Sequence, residues 1–431
     1  MGDADRRPAI GNASQTDDTT YASIEASPSY QDTDNTVQLD RLTRFSYSSN
    51  MMAMGDPFNV DVPDPTGKYK DKLLPGWTVR FYMQNAMVQN GVKTLKVDGL
   101  ITQREVEVGP QGTVIKITGA DLGWHLINND APLWMNLRGV SLEKLALSCI
   151  FPQSFFPKAS DPGWGFKDTI LTSNEQNRSI KRAVSMTAAE YYSVINAAKA
   201  NGVIYMQSQP GQKIADLLIT SARRMGLLVG VTADRHIMFF LPNYTQTPDF
   251  TLNLYPMDNP LHARNNVQAP ARRTDSIETL FTDVTVVCTN PVFKVVPAGN
   301  VKTFSPQFDK FYGRANAADW PKGSPTLPFH RKVNISDGEI TERPRRKALW
   351  HQRRGLYDAL TVTLSVRGHQ QAGMWWEADT MCRVNAPVLG IEETMHIQAV
   401  NCERDMTSGD TTMVTLKRQG LLDEVPLSAK T

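Results

Sequence analysis

Glu377 and Asp379 are the residues whose type and spacing most suggest chemistry. They stand two apart in Trp375–Trp376–Glu377–Ala378–Asp379–Thr380. Cleavage of a glycosidic bond needs one carboxyl group as acid and a second as base or nucleophile, and the neighbouring indole rings offer a sugar a flat apolar face. Carboxylates at i and i+2 before a strand are also ordinary turn residues that bond their own backbone. The turn is the expected role; a hydrolase acting on cell wall or surface glycan is the alternative.

The second chemical candidate is the basic run Arg343, Arg345, Arg346, Lys347, Arg353 and Arg354. Phosphates would suit it, but on one helix these charges spread over much of the surface, and Trp350 is the one nearby ring. A solvated face or an acidic protein partner is expected, with no sequence-specific nucleic acid binding. The seven histidines form neither an i,i+4 pair nor an H-E-x-x-H run, so no metal site is expected. Phosphate-binding glycine loops and the G-x-S-x-G elbow are missing too. No catalytic residue and no cofactor is assigned. Cys149, Cys288, Cys382 and Cys402 lack C-x-x-C spacing and read as reduced, buried thiols, with a Cys382–Cys402 bridge conceivable.

The elements that must position these residues come from length and periodicity. A chain of 431 residues suggests about two to four domains. With 21% charged residues and a net charge of +2, no global field points to nucleic acid or an anionic membrane. No basic-then-apolar leader appears, and no run reaches the ~18 apolar residues of a spanning helix, so neither export nor membrane insertion is expected.

The clearest unit runs from Val203 to Pro242: an apolar strand VIYMQ, a break at Pro210-Gly211, a helix presenting Ile214, Leu217, Leu218 and Met225, and a hairpin LLVGV–HIMFFL. Residues 1–36, rich in Asp, Ser, Thr and Asn, are expected to be a disordered polar arm. Residues 37–130 alternate with period two between turn signals and read as a first β-barrel-like domain. Residues 131–270 read as an α+β middle domain, with Ser141 capping one helix and Thr187-Ala188-Ala189-Glu190 opening another. Residues 271–425 read as a second β-barrel-like domain with one helix, Thr341–Arg354, ended by Gly355; the stretch from Gly299 to Pro328 is an expected exposed excursion. Residues 426–431 are a tail. The fold class expected is α+β and β-rich, two antiparallel β-barrel-like domains flanking a small middle domain.

Certain residues resemble a known family. Pro210-Gly211-Gln212-Lys213-Ile214-Ala215-Asp216-Leu217-Leu218 with Ala222-Arg223-Arg224 and Met238-Phe239-Phe240, together with Ser336-Asp337-Gly338-Glu339, Val366-Arg367-Gly368-His369, Trp376-Glu377-Ala378-Asp379-Thr380 and Thr118-Gly119-Ala120-Asp121, resemble the baseplate hub proteins of contractile phage tails. This is the Mu-like tail protein P, or late control protein, family, and the resemblance covers about residues 37–425. It implies a homotrimer whose paired barrels make a pseudo-sixfold ring joining the tail tube, or a tube-initiator protein, to the spike. Wedge and tape-measure proteins would be further partners, in a virion baseplate assembled in the bacterial host cytoplasm. On this reading Lys213, Asp216, Arg223, Arg224, Arg345, Arg346, Arg353, Arg354, Glu377 and Asp379 are candidate protein-interface residues.

Overall fold

In a computed structural model of the chain, residues 20–85, 93–131, 141–150, 165–172, 210–288, 312–315, 331–336 and 344–420 are described, less residues 31, 33, 111, 168, 225–226, 243, 245 and 406–408. No helix among them is long and apolar enough to cross a membrane.

Alternation builds most of the structure, because successive side chains of a strand point to opposite faces. Strand β4 (Pro57–Pro63) buries Phe58, Val60 and Val62 and turns the residues between them outward. Its neighbour β7 (Gly112–Asp121) buries Ile115 and Ile117 in the same way. From β7 the sheet continues through the 16-residue β6 (Thr94–Gly109), β5 (Thr78–Asn85) and β1 (Thr20–Ser27) to β2 (Val37–Leu42). On the other side β4 pairs with β3 (Phe45–Asn50). Ile24, Phe58, Phe81, Val97 and Ile101 belong to the core these strands enclose.

Strand β20 (Ile391–Asp405) carries the sheet onward and changes neighbours along its length. Up to Ile397 it pairs with β19 (Thr380–Ala386); from Ala399 to Arg404 it pairs with β3. The change falls where its register with β21 (Gly409–Arg418) shifts, between Ile397 and Ala399, an extra residue of the kind that bends a strand. Beyond β21 lie β16 (Leu360–Arg367) and β12 (Val267–Asp275), while β11 (Phe250–Asn253) adds to β19. Asn266 Nδ2 donates to Thr251 O at 2.7 Å and its Oδ1 accepts from Asn253 N at 2.8 Å, tying the end of β11 to the start of β12. Leu252, Val362, Leu364, Cys382, Ile397 and Leu416 pack in this second core. All pairs in this 13-stranded sheet are antiparallel except β11 with β19.

A third core gathers the helical part. Helices α1 (Gly123–Asn128), α2 (Leu142–Ile150) and α3 (Ile214–Arg224) pack Leu126, Leu145, Ala146, Leu217 and Leu218 against Phe239 of a hairpin, β9 (Leu228–Val231) and β10 (Ile237–Phe240). Strand β8 (Leu171–Thr172) runs parallel beside β10. Ser141 caps α2 as expected, its hydroxyl accepting from Lys144 N at 3.2 Å. The expected strand at 203–207 and the helix opened by Thr187 lie outside the described residues. A small sheet of β13 (Asp283–Cys288), β14 (Tyr312–Ala315) and β15 (Arg331–Ser336) packs near helix α4 (Pro344–Ala359). The fold is thus α+β and β-rich.

Four expectations change. Within the expected polar arm of residues 1–36, Thr20–Ser27 is a strand between β2 and β5 with Ala22, Ile24 and Ala26 fully buried, while residues 1–19 lie outside the described residues. Ile24 is its one large aliphatic side chain, so composition understates a segment whose backbone is bonded on both edges. Within the expected excursion, Tyr312–Ala315 pairs with β13. Strand β11 and the first residues of β12 were placed with the middle domain, yet they pair with β19 and β16 and pack on the second core. Finally, α4 runs through Gly355 to Ala359, because Gly355 serves close packing there: a Cβ would lie 2.1 Å from Thr279 O.

Candidate functional site

The two carboxylates at 377 and 379 sit on the turn entering β19, where the second half of the chain meets the first. Asp379 holds a left-handed backbone, φ 62°, which aspartate tolerates better than most residues. Its Oδ1 accepts from Nε2 of the buried His396 at 2.9 Å, and its backbone N–H donates to Ile397 O. Glu377 turns the other way: its Oε1 accepts from Lys96 Nζ of β6 at 2.6 Å. Lys96 is buried and lies 5.3 Å from the centre of the Trp375 ring, whose Nε1 donates to Thr94 Oγ1 at 3.0 Å. Asn85 Nδ2 adds a bond to Gln370 Oε1 at 2.9 Å. Trp376 is buried against Phe250, ring centres 4.2 Å apart. Both carboxylates are engaged in joining strands, Trp376 is buried, and Lys96 lies against the half-buried Trp375.

Near Lys96 lies a buried carboxyl pair, Asp56 and Asp121, that sequence reading did not identify. Burial pushes Asp56 up to about 6, against hydrogen bonds from Ser49, Asn50 and Tyr47 and the nearby Lys96 charge. Tyr47 OH donates to Asp56 Oδ2 at 3.4 Å. Asp121, at the end of β7, is raised well above the usual carboxylate range by burial and then by Asp56. Asp121 Oδ1 accepts from Gly123 N at 2.8 Å, so this side chain starts helix α1. Two carboxyl groups buried near each other favour holding a proton between them, and the Lys96 charge acts against this at Asp56.

A second node fixes the β9–β10 hairpin to the sheet. Asp98 Oδ2 of β6 meets Arg80 Nε at 3.3 Å and Arg235 Nε at 3.2 Å. Arg235 stacks over Tyr30, 4.6 Å from its centre, and Tyr30 OH donates to Gly99 O at 3.0 Å. At the start of β1, Thr20 N donates to Asp410 Oδ2 at 2.7 Å, and Arg404 Nη1 donates to Thr20 O. Thr20 lies 390 and 384 residues from these two partners, so no local motif marks them.

The remaining candidates scatter. Lys213 is bonded to Asp130 Oδ1 at 2.7 Å and to Asn128 O at 3.0 Å, which fastens α3 to the end of α1. Asp216 and Arg223 of α3 are exposed. Arg354 Nε donates to Asp358 Oδ2 at 2.8 Å, its Nη1 approaches Met52 Sδ at 3.7 Å, and Arg353 is half-buried on the same helix. The side chains of Arg224, Arg345 and Arg346 lie outside the described residues. Among the described residues no group of three or more His, Cys, Asp or Glu side chains is placed to hold a metal ion. Cys149, Cys382 and Cys402 are buried free thiols, so the conceivable Cys382–Cys402 bridge is not formed.

The fold is similar to that of solved phage tail proteins. The tail protein from Neisseria meningitidis MC58 matches with a TM-score of 0.65 at 15% identity, over 94% of this chain and 98% of that one. The 43 kDa tail protein of prophage MuSo2 from Shewanella oneidensis matches with a TM-score of 0.62 at 13% identity, over 93% and 98%. Prophage tail protein gp18 from Listeria monocytogenes EGD-e gives 0.52 at 11% identity, over 93% and 96%. No protein-family model and no curated protein matches the chain.

Proposed function

We propose that the chain is a structural phage tail protein: the baseplate hub of a contractile tail, a homotrimer joining the tail tube or tube-initiator protein to the central spike. In this reading the strands around the first and second cores are two barrel-like units, each trimer presents six of them as a pseudo-sixfold ring, and wedge and tape-measure proteins attach around it. The protein would act in the virion baseplate after assembly in the host cytoplasm, without cofactor, catalysis, membrane insertion or sequence-specific nucleic acid binding.

The observation that carries this is the likeness to tail proteins over nearly the full length of both chains. The chemistry agrees, since Glu377 and Asp379 are committed to Lys96 and His396. Strand β20, shared by both cores, gives the rigid coupling of two like units that a symmetry adaptor requires. Light scattering tests it: a particle of about three times the 48.0 kDa chain mass is expected, and a monomer that stays monomeric with spike protein added overturns the reading.

A further inference from the structure

The register of β4 with β7 sets two aspartates against each other. Pro57 lies opposite Ala120, and one step further Asp121 N donates to Asp56 O at 3.2 Å, so Asp56 and Asp121 are a directly opposed cross-strand pair. Side chains of such a pair leave the same face of the sheet with Cβ atoms about 5.5 Å apart, and like charges there repel. Water does little to screen them, because Asp121 is buried and Asp56 largely so. The groups that act on Asp121 are the Asp56 carboxyl and the backbone N–H groups of Asp56 and Gly123, none of them a cation. Lys96, which acts on Asp56, is held by Glu377 at 2.6 Å.

The pair also sits at a joint. Asp121 Oδ1 accepts from Gly123 N at 2.8 Å, and a Cβ on Gly123 would lie 2.6 Å from Gly55 N, so the first turn of α1 rests directly on the β3–β4 connection. That connection carries Met54 into the third core beside Leu122 and Leu126. The two aspartates thus lie where the helical unit is rooted in the sheet. The other ionisable groups around them are accounted for. Burial raises Tyr47 of β3, Cys402 of β20 and Tyr30, which keep their protons at neutral pH. Asp98 of β6 is held between Arg80 and Arg235. His125, on α1 itself, is lowered by burial.

We propose that Asp56 and Asp121 form a proton-operated clasp: a proton held between the two carboxyl groups closes the β3–β4 connection on the start of α1, and its loss to solvent loosens the helical unit at its root. Burial raises Asp56 from 3.8 to about 6 and Asp121 well above the usual carboxylate range. Closure is therefore strongest at low pH and is lost as pH rises through about 6. For Asp56 alone, linkage gives about a tenfold weakening between about pH 5 and pH 7. The clasp stands independently of the function proposed above.

Hydrogen exchange of the full chain, read by mass spectrometry from about pH 5 to pH 7 with labelling times scaled to the intrinsic rate, tests this. Protection of the amides in α1 is expected to fall about tenfold across that window, while Leu360–Arg367 of the second core holds. Asp56→Asn is expected to remove the fall. Asp121→Asn, which keeps an acceptor for Gly123 N but not the opposed charge, is expected to reduce it, and His125→Gln to leave it as in the parent chain. The proposal is overturned if the parent shows no fall at α1, if Leu360–Arg367 loses protection in parallel, if His125→Gln removes the fall, or if both asparagine variants keep it in full. Should an asparagine variant fail to fold, the parent chain and His125→Gln decide.

Discussion

Lys96 and Glu377, 281 residues apart in the chain, meet at 2.6 Å with the lysine buried and the glutamate at the surface. The asymmetry decides how the pair responds to mutation. The glutamate end of the pair is open to water, so Glu377→Gln, which keeps an acceptor oxygen, is expected to cost less than about 1 kcal/mol. Glu377→Ala leaves a buried cation with a poorer partner and is expected to cost about 1–3 kcal/mol. Lys96→Ala also removes the stem packed on Trp375 and should cost at least as much. Urea midpoints of the three variants check the order, and equal losses for Gln and Ala would contradict it.

Two buried groups give opposing pH dependence. Asp56, raised from 3.8 to about 6, binds its proton more tightly when folded, so its contribution is complete at low pH and is lost as pH rises from about 4 through 6. His369 behaves oppositely. It is fully buried, its Nδ1–H donates to Thr412 Oγ1 at 2.8 Å, and that hydroxyl donates to Gly368 O. Burial and then Arg404 lower it from 6.5 to about 3, so its contribution is complete above the unfolded value and is lost as pH falls through that window. The two effects offset each other between pH 4 and 6. Asp56→Asn is expected to raise stability at pH 7 and to steepen the loss on acidification, because one of the carboxyl groups that offset the histidine is gone. Melting temperatures from pH 4 to 7 check this; a curve parallel to the parent chain would refute the assignment to Asp56.

What was legible in the sequence was the local pattern. Alternation exposed β4 and β7, Ser141 marked the start of α2, and the polar Thr232–Arg235 turn marked the β9–β10 hairpin. What was hidden depended on partners distant in the chain. Glu377 and Asp379 looked like a chemical pair because they are neighbours in sequence, whereas Lys96 and His396 decide what each does. Asp121 was noticed only as part of a family-like tetrapeptide; its role follows from helix α1 and Asp56 arriving beside it. Gly355 carries the same signal as a helix stop, and only the arrival of Thr279 shows that it is a contact.

That contact reverses an ordinary rule. In an open helix interior, Gly→Ala gains about 1 kcal/mol from backbone entropy. At Gly355 the added methyl would meet Thr279 O at 2.1 Å, and Thr279 Oγ1 also donates to Gly355 O at 3.0 Å. Gly355→Ala is therefore expected to destabilise by about 1–3 kcal/mol, as overpacked sites do. A thermal melt decides the sign, and an increase in melting temperature would mean that Thr279 does not press on the helix.

Strand β1 supplies the sharpest contrast between composition and structure. As a loose polar arm, Thr20–Ser27 would tolerate any substitution. As a central strand it cannot: Ile24 is fully buried in the first core, β5 pairs with every residue of the segment, and Thr20 is anchored to Asp410 at 2.7 Å. Ile24→Ala is expected to cost about 2–5 kcal/mol, the range for large-to-small changes in a packed core. Thr20→Pro removes the N–H that Asp410 accepts from, and a smaller loss is expected there because one end of the strand frays while Ala22 to Ala26 stay paired. Removing residues through Ser27 leaves β2 and β5 with unbonded facing edges, so that variant is expected to aggregate or remain insoluble. Solubility and urea midpoints report all three, and wild-type stability in Ile24→Ala would return the segment to a dispensable arm.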